Sequence, residues 1–163
     1  MKLEDLELIT KDKMNLNEYL DFINYVKKNM EHPEWLGDFT IDELKNSDID
    51  LWLYKEKNDI VCSMMSIKAS EKSCEKLGIK KNYKDVIDYV QMAVSPKYLG
   101  NGLQLQMLKY FDQLFREKRI KYALTTIHPD NNFCIKNMLK DEFDMIGYKE
   151  FKRGPRNIYL KKL

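Results

Sequence analysis

The chain has 163 residues, 44% of them hydrophobic and 12% aromatic, with a formal net charge of +2. That length suits one domain with a real core, and the aromatic content argues against disorder. Near-balanced charge removes the electrostatic case for nucleic acid, which shows as a strong basic excess.

In chain order, residues 5–10 (DLELIT) are β-leaning and predict a first strand. Residues 15–30 place Leu16, Tyr19, Leu20, Ile23, Val26 and Met30 at helical spacing. Asn15 or Asn17 can cap that helix, and Lys27 and Lys28 suit the negative end of its dipole. Residues 32–39 (HPEWLGDF) form a loop, and the capping-box pair Thr40 and Glu43 opens a second short helix over 40–47. Residues 50–70 read as two strands joined by a turn at Lys57-Asn58-Asp59, and 71–84 are charged and irregular, with room for a helical excursion. Residues 85–95 form a long strand, and 102–119 a helix with Leu103, Met107, Phe111 and Leu114 along one stripe. A strand over 122–128, a helix over 131–143 and a hairpin of strands 144–151 and 156–162 complete the chain. The order β-α-α-β-β-β-α-β-α-β-β, with no linker or repeat, predicts a single α/β domain over residues 1–163, a mixed sheet covered on both faces. Met64 and Met65 read as packing, and Lys80, Lys81, Lys161 and Lys162 as solvated charge.

The three cysteines, Cys62, Cys74 and Cys134, match no metal spacing, and with two histidines no metal site is expected. Free thiols suit a reducing compartment. The N-terminus has no apolar signal core and no apolar stretch is long enough for a bilayer, so the expectation is a cytoplasmic protein without a membrane partner. The wealth of Lys, Asn, Ile and Tyr points to an AT-rich bacterial genome.

One stretch poses a chemical question. Residues 94–104 (VSPKYLGNGLQ) pass from strand to helix through two glycines. A helix start gathers backbone N–H groups with no partner inside the helix, and its dipole is positive there. Such a junction seats an anion, phosphate above all, and glycine keeps side chains off the amides. Leu99, Gly100, Asn101, Gly102, Leu103 and Gln104 would offer those amides. The pattern is neither a P-loop, lacking Gly-Lys-Ser/Thr, nor a dinucleotide fingerprint, since Leu105 replaces the third glycine. By itself Gly-x-Gly is better read as a turn plus a helix cap, and the context must carry the case for a phosphate.

The wider context resembles the GCN5-related N-acetyltransferases (GNAT). There a strand ending V-x-P runs into [Gln/Arg]-x-x-Gly-x-[Gly/Ala] and a helix; here stand Val94-Ser95-Pro96 and Lys97-Tyr98-Leu99-Gly100-Asn101-Gly102. The likeness continues with IHPDN (127–131), LKDEF (139–143) and the final hairpin, and covers about the whole chain. It departs at Lys97, at Leu99 where many bacterial members carry Arg, and at Glu142-Phe143 where Gly-Phe is usual.

The resemblance implies a mostly antiparallel twisted sheet and an N-acetyltransferase using acetyl-CoA as cosubstrate. Its pyrophosphate would sit on the glycine loop. Its pantetheine arm would run beside Met92, Ala93 and Val94 as an added strand, with Asn131 and Cys134 close to it. A bulge would splay the strand at this point. Asp88, six residues before Val94, is the candidate base, its rival reading being a strand-edge carboxylate facing water. The tyrosine expected downstream of Asn131 is Met138 here; Tyr148 is the candidate substitute acid, its rival reading being packing or lining of the substrate groove, with solvent then assisting the thiolate. His32, Trp35 and Phe39 fall where an amine acceptor is held, whether small molecule or peptide. A non-catalytic acyl-CoA sensor and a protein-interaction domain without nucleotide ligand are the alternatives. A monomer and a homodimer are both compatible with the chain.

Overall fold

The computed structural model describes all of residues 1–163. Seven strands form a sheet in the order β1-β2-β3-β4-β5-β7-β6. They are β1 (Glu7–Thr10), β2 (Ile49–Glu56), β3 (Asp59–Lys68), β4 (Val86–Val94), β5 (Tyr122–Ile127), β6 (Asp144–Phe151) and β7 (Gly154–Lys162). The helices are α1 (Leu16–Lys28), α2 (Ile41–Leu44), α3 (Glu71–Leu77), α4 (Leu103–Glu117) and α5 (Asn132–Lys140). The pair β4/β5 is parallel, while β1/β2, β5/β7 and β6/β7 are antiparallel. This is a mixed, mostly antiparallel α/β sheet. No helix is long and apolar enough to cross a membrane.

Contacts divide the residues into two compact units: Met1–Ser66 with Gln91–Met107, and Ile67–Val90 with Leu108–Leu163. In the first, Asn15 caps α1, its side chain accepting from Asn17 and Glu18 N–H. Thr40 and Glu43 cap α2 reciprocally, as their spacing predicts. Tyr19, Phe22, Ile23 and Val26 bury one face of α1. Met64 and Met65 are wholly buried, in keeping with packing.

In the second unit, 71–84 holds a true helix, α3, fixed by a Ser70–Ser73 capping box and ended at Gly78, whose φ is +69°. One face of the strands packs Val86, Leu124 and Ile158 against Cys74 and Ile79. The other face sets Tyr89 beside Phe115 of α4 and Phe143, with ring centroids 5.9 and 6.2 Å apart. Each such side chain contributes roughly 1.5–3 kcal/mol on burial.

Lys161 overturns its reading as solvated charge. It is 7% exposed. Its ammonium donates to Asp112 of α4 and, at 2.9 Å, to Asp141 at the end of α5. The Tyr89 hydroxyl donates to the other oxygen of Asp112 at 2.9 Å. Alternation along β7 turns Lys161 inward, where two carboxylates meet its charge. Lys162 is exposed, as expected of it.

Candidate functional site

The glycine loop lies in the first unit. After β4, Pro96–Tyr98 make a single 3-10 turn, with Tyr98 N–H bonded to the Ser95 carbonyl at 2.9 Å. Gly100 and Gly102 then adopt φ of +82° and +66°, and α4 starts at Leu103. Positive φ is the local reason for both glycines. Apart from the adjoining residues of the chain, no protein atom stands within 4 Å of a Cβ built at either position. The protein therefore packs nothing there that would exclude a side chain, and the backbone is open to approach.

Side chains brace this loop from behind. The Asn101 amide donates to the Tyr98 carbonyl at 3.0 Å, and the Gln106 amide donates to the Asn101 carbonyl at 3.0 Å. Gln106 also accepts from Leu3 N–H at 2.8 Å. Lys97 reaches Asp59 at 3.4 Å, and Tyr98 donates to Glu56 and Asp59 at 3.3 and 3.4 Å. The Tyr98 phenol is held above its usual pKa, by desolvation first and then by those two carboxylates. Leu99, where an Arg is common in the family resembled, is exposed.

Strand β4 has two irregularities. Ala69 N–H donates to the Val86 carbonyl at 3.2 Å, and Ser95 N–H to the Val61 carbonyl at 2.8 Å. Those bonds span residues 61–69 on the β3 side and 86–95 on the β4 side, so the β4 side carries one extra residue, as a bulge gives. The parallel ladder to β5 pairs Val86, Ile87 and Asp88 with Tyr122, Ala123 and Leu124 and ends there. At the next step a side chain takes over: Thr125 Oγ1 donates to the Tyr89 carbonyl at 2.9 Å.

Asp88 lies opposite Leu124 in a strand flanked by β3 and β5, so it is no edge residue facing water. The residue is half-buried, and burial pushes its carboxyl up to about 7. Its charge reaches Cys74, whose thiol is raised by burial first and by Asp88 second. Burial also pushes the Cys62 thiol up to about 12. These two thiols are buried and inert in character, whereas Cys134 is half-buried.

The acceptor-loop candidates gather in the first unit. His32 and Trp35 stack with centroids 4.4 Å apart. His32 Nδ1 lies 3.0 Å from Glu34. The loop is tied down beyond them: Gly37 N–H donates to Gln91 Oε1 at 2.7 Å, and Lys27 pairs with Asp38. Phe39 is half-buried before the α2 cap.

Asn131 and Cys134 also meet: the Asn131 side chain accepts from Cys134 N–H at 3.2 Å and caps α5. Tyr148 is 55% exposed on β6, the edge strand, and donates to Glu150. That bond, burial and the Glu150 charge hold its phenol above the usual value. Strands β5 and β7 separate it from Asp88 in the sheet order, so the two are not brought together. Gln91, which bonds to Gly37 of the 32–39 loop and to Tyr19 of α1, carries no motif. Its signal in the sequence is a lone polar residue inside the apolar run VQMAV. No group of three or more His, Cys, Asp or Glu side chains is arranged to hold a metal.

No family model and no curated relative matches the chain. Solved structures do. An N-acetyltransferase from Staphylococcus aureus Mu50 is 16% identical, covers 96% of this chain and 98% of its own, and has a TM-score of 0.72. A GNAT-family acetyltransferase from Listeria monocytogenes is 18% identical over 100% and 99% of the two chains, with a TM-score of 0.69. AAC(6')-Ib in complex with ribostamycin and coenzyme A is 15% identical over 96% and 93%, with a TM-score of 0.70. At these identities the likeness establishes the fold: the chain is built as GNAT acetyltransferases are.

Proposed function

We propose that this chain, with its GNAT fold, is an N-acetyltransferase that moves an acetyl group from acetyl-CoA to an amine within a ternary complex, residues 1–163 acting as one catalytic domain. The observation that carries the reading is the loop after β4. Two left-handed glycines precede a fifteen-residue helix, and no protein atom crowds their open side. Backbone N–H groups from Leu99 to Gln104 suit a pyrophosphate there. The main chain of Met92, Ala93 and Val94 suits the amides of a pantetheine arm, to which the same reading assigns Asn131 and Cys134. The neighbours AAC(6')-Ib, solved with acetyl-CoA or coenzyme A, support that cosubstrate, and their bound aminoglycosides support a small-molecule amine as acceptor. His32, Trp35 and Phe39 are assigned to that acceptor.

The chemistry is a proton transfer and an acyl exchange. Asp88, with a carboxyl near neutrality, accepts the ammonium proton directly or through water. The freed nitrogen attacks the thioester carbonyl, the C–N bond forms, and the C–S bond breaks. A backbone N–H such as that of Val94 stabilises the charge building on oxygen. The nitrogen sheds its second proton to solvent as it becomes an amide, and the departing thiolate takes a proton from solvent, since Tyr148 on the edge strand is not brought to Asp88.

Thermal shift with coenzyme A tests binding. A ligand at a hundredfold its dissociation constant adds about 2.7 kcal/mol, worth roughly 5–10 °C in a chain this size. Thiol release from acetyl-CoA across a panel of amines tests turnover. Binding without turnover favours an acyl-CoA sensor, and no shift at millimolar coenzyme A favours a domain with no nucleotide ligand.

A further inference from the structure

We propose that Gln91 is a positioning residue that locks the loop bearing His32, Trp35 and Phe39 onto strand β4, and so governs affinity for the amine rather than for acetyl-CoA; this rests on the acetyltransferase reading. Gln91 stands immediately before Met92, on the strand assigned to the cosubstrate. It is 6% exposed, and alternation places it with buried Tyr89 and Ala93. A primary amide buried among apolar neighbours is strongly disfavoured unless its donors and acceptor are bonded.

Both ends of this amide are engaged. The oxygen accepts from Gly37 N–H at 2.7 Å, and the nitrogen donates to the Tyr19 hydroxyl at 3.2 Å. Tyr19 is wholly buried on α1, and burial raises its phenol, so it stays neutral and able to accept. One side chain therefore joins strand, helix and loop. Gly37 lies two residues from Trp35 and two from Phe39, so the bond acts at the middle of the acceptor loop. An apolar residue in place of Gln91 would strand the Gly37 N–H in a buried position. The loop would then move to satisfy it.

Amide hydrogen exchange on the full chain reads the clamp directly. In Gln91→Met, similar in length but without donor or acceptor, the Gly37 amide should exchange at least tenfold faster, with Ile87 and Tyr89 amides unchanged. Gln91→Glu should restore protection to within a few-fold, because its carboxylate still accepts from Gly37 and can accept from Tyr19. The coenzyme A thermal shift should persist in both. Spermidine is a suitable amine probe, since the segment 29–44 around the loop carries Glu31, Glu34, Asp38, Asp42 and Glu43, with His32 as its one basic residue. Its KM should rise about tenfold in Gln91→Met while that of acetyl-CoA stays within twofold. If spermidine is not turned over, Gly37 exchange and its rescue decide alone. Unchanged Gly37 exchange in Gln91→Met, or equal loss at Ile87 and Tyr89, overturns the clamp. Absence of any coenzyme A shift in the wild-type chain overturns the acetyltransferase reading instead, whatever Gly37 does.

Discussion

Thr125 Oγ1 donates to the Tyr89 carbonyl at 2.9 Å, one step beyond the last main-chain pair of β4 and β5. A side chain thus closes a ladder that the backbones have left, and it satisfies a buried carbonyl just before the strand turns to the cosubstrate residues of our reading. Thr125→Val keeps the shape and removes the donor. An orphaned buried acceptor costs about 1–2 kcal/mol, so the melting temperature should fall by roughly 2–8 °C. Calorimetry checks this, and an unchanged transition would mean that the bond contributes nothing.

Gly102 separates backbone strain from ligand access. No protein atom crowds a Cβ there, so Gly102→Leu should cost the free chain only the left-handed penalty, about 1–2 kcal/mol. The same side chain would stand over the amides proposed to hold the pyrophosphate. The coenzyme A thermal shift at millimolar ligand should therefore vanish. A full shift in Gly102→Leu would move the pyrophosphate away from this loop.

The glycine loop was legible because its chemistry is local: Ser-Pro, two glycines and an amphipathic helix lie within a few residues of one another. Capping boxes on α2 and the terminal hairpin were legible for the same reason. Helix α3 was only half legible, since its cap is Ser70 with Ser73 rather than with an acid, and its apolar side is short. The inward turn of Lys161 was not legible. Its partners lie 49 and 20 residues away, and nothing near 161 announces a buried charge. Gln91 shares that difficulty, its partners being 54 and 72 residues distant.

Asp88→Asn tests the base. Burial holds the carboxyl at about 7 in the folded chain, above the ordinary value of 3.8. The wild-type rate should rise with pH through about 7 as the base ionises, and the variant should lose that limb while keeping its coenzyme A shift. Stability runs the other way. The folded state holds this proton more tightly than the unfolded one, so wild-type stability falls as pH rises from about 4 to about 7. The variant, with no charge to bury, should melt higher than wild type at pH 8, and the gap should close near pH 4. A rate profile identical to wild type would remove Asp88 from the mechanism.

Lys161→Met leaves Asp112 and Asp141 buried without their shared cation. Breaking such a group by removing one partner costs about 3–5 kcal/mol, or roughly 6–20 °C in melting temperature. Burial, with Asp112 beside it, already pushes the Asp141 carboxyl up to about 6 against the pull of Lys161. Protonation relieves the stranded carboxylates, so the deficit should be greatest above pH 6 and shrink as pH falls. Equal deficits at pH 5 and pH 8 would show that lost packing, not charge, sets the effect.

Three helices end in the same hydrogen-bonded turn. After α3, Gly78 and Ile79 N–H bond back to Glu75 and Cys74; after α4, Arg119 and Ile120 bond to Arg116 and Phe115; after α5, Glu142 and Phe143 bond to Leu139 and Met138. The left-handed residue is Gly78 in the first, at φ +69°, but Arg119 and Glu142 in the others, both at φ +63°. This is why Gly-Phe is usual where Glu142-Phe143 stands here: the position asks for glycine. A side chain in that region costs about 1–2 kcal/mol, and glycine gives back about 0.5–1 kcal/mol through its freer unfolded chain. Arg119→Gly and Glu142→Gly should each stabilise the protein by about 0.5–1 kcal/mol. Sitting on different helices, their effects should add. The double variant should melt roughly 2–8 °C higher, while Gly78→Ala should melt lower than wild type. A double variant no more stable than the parent would show that both side chains make contacts worth as much as the strain they impose.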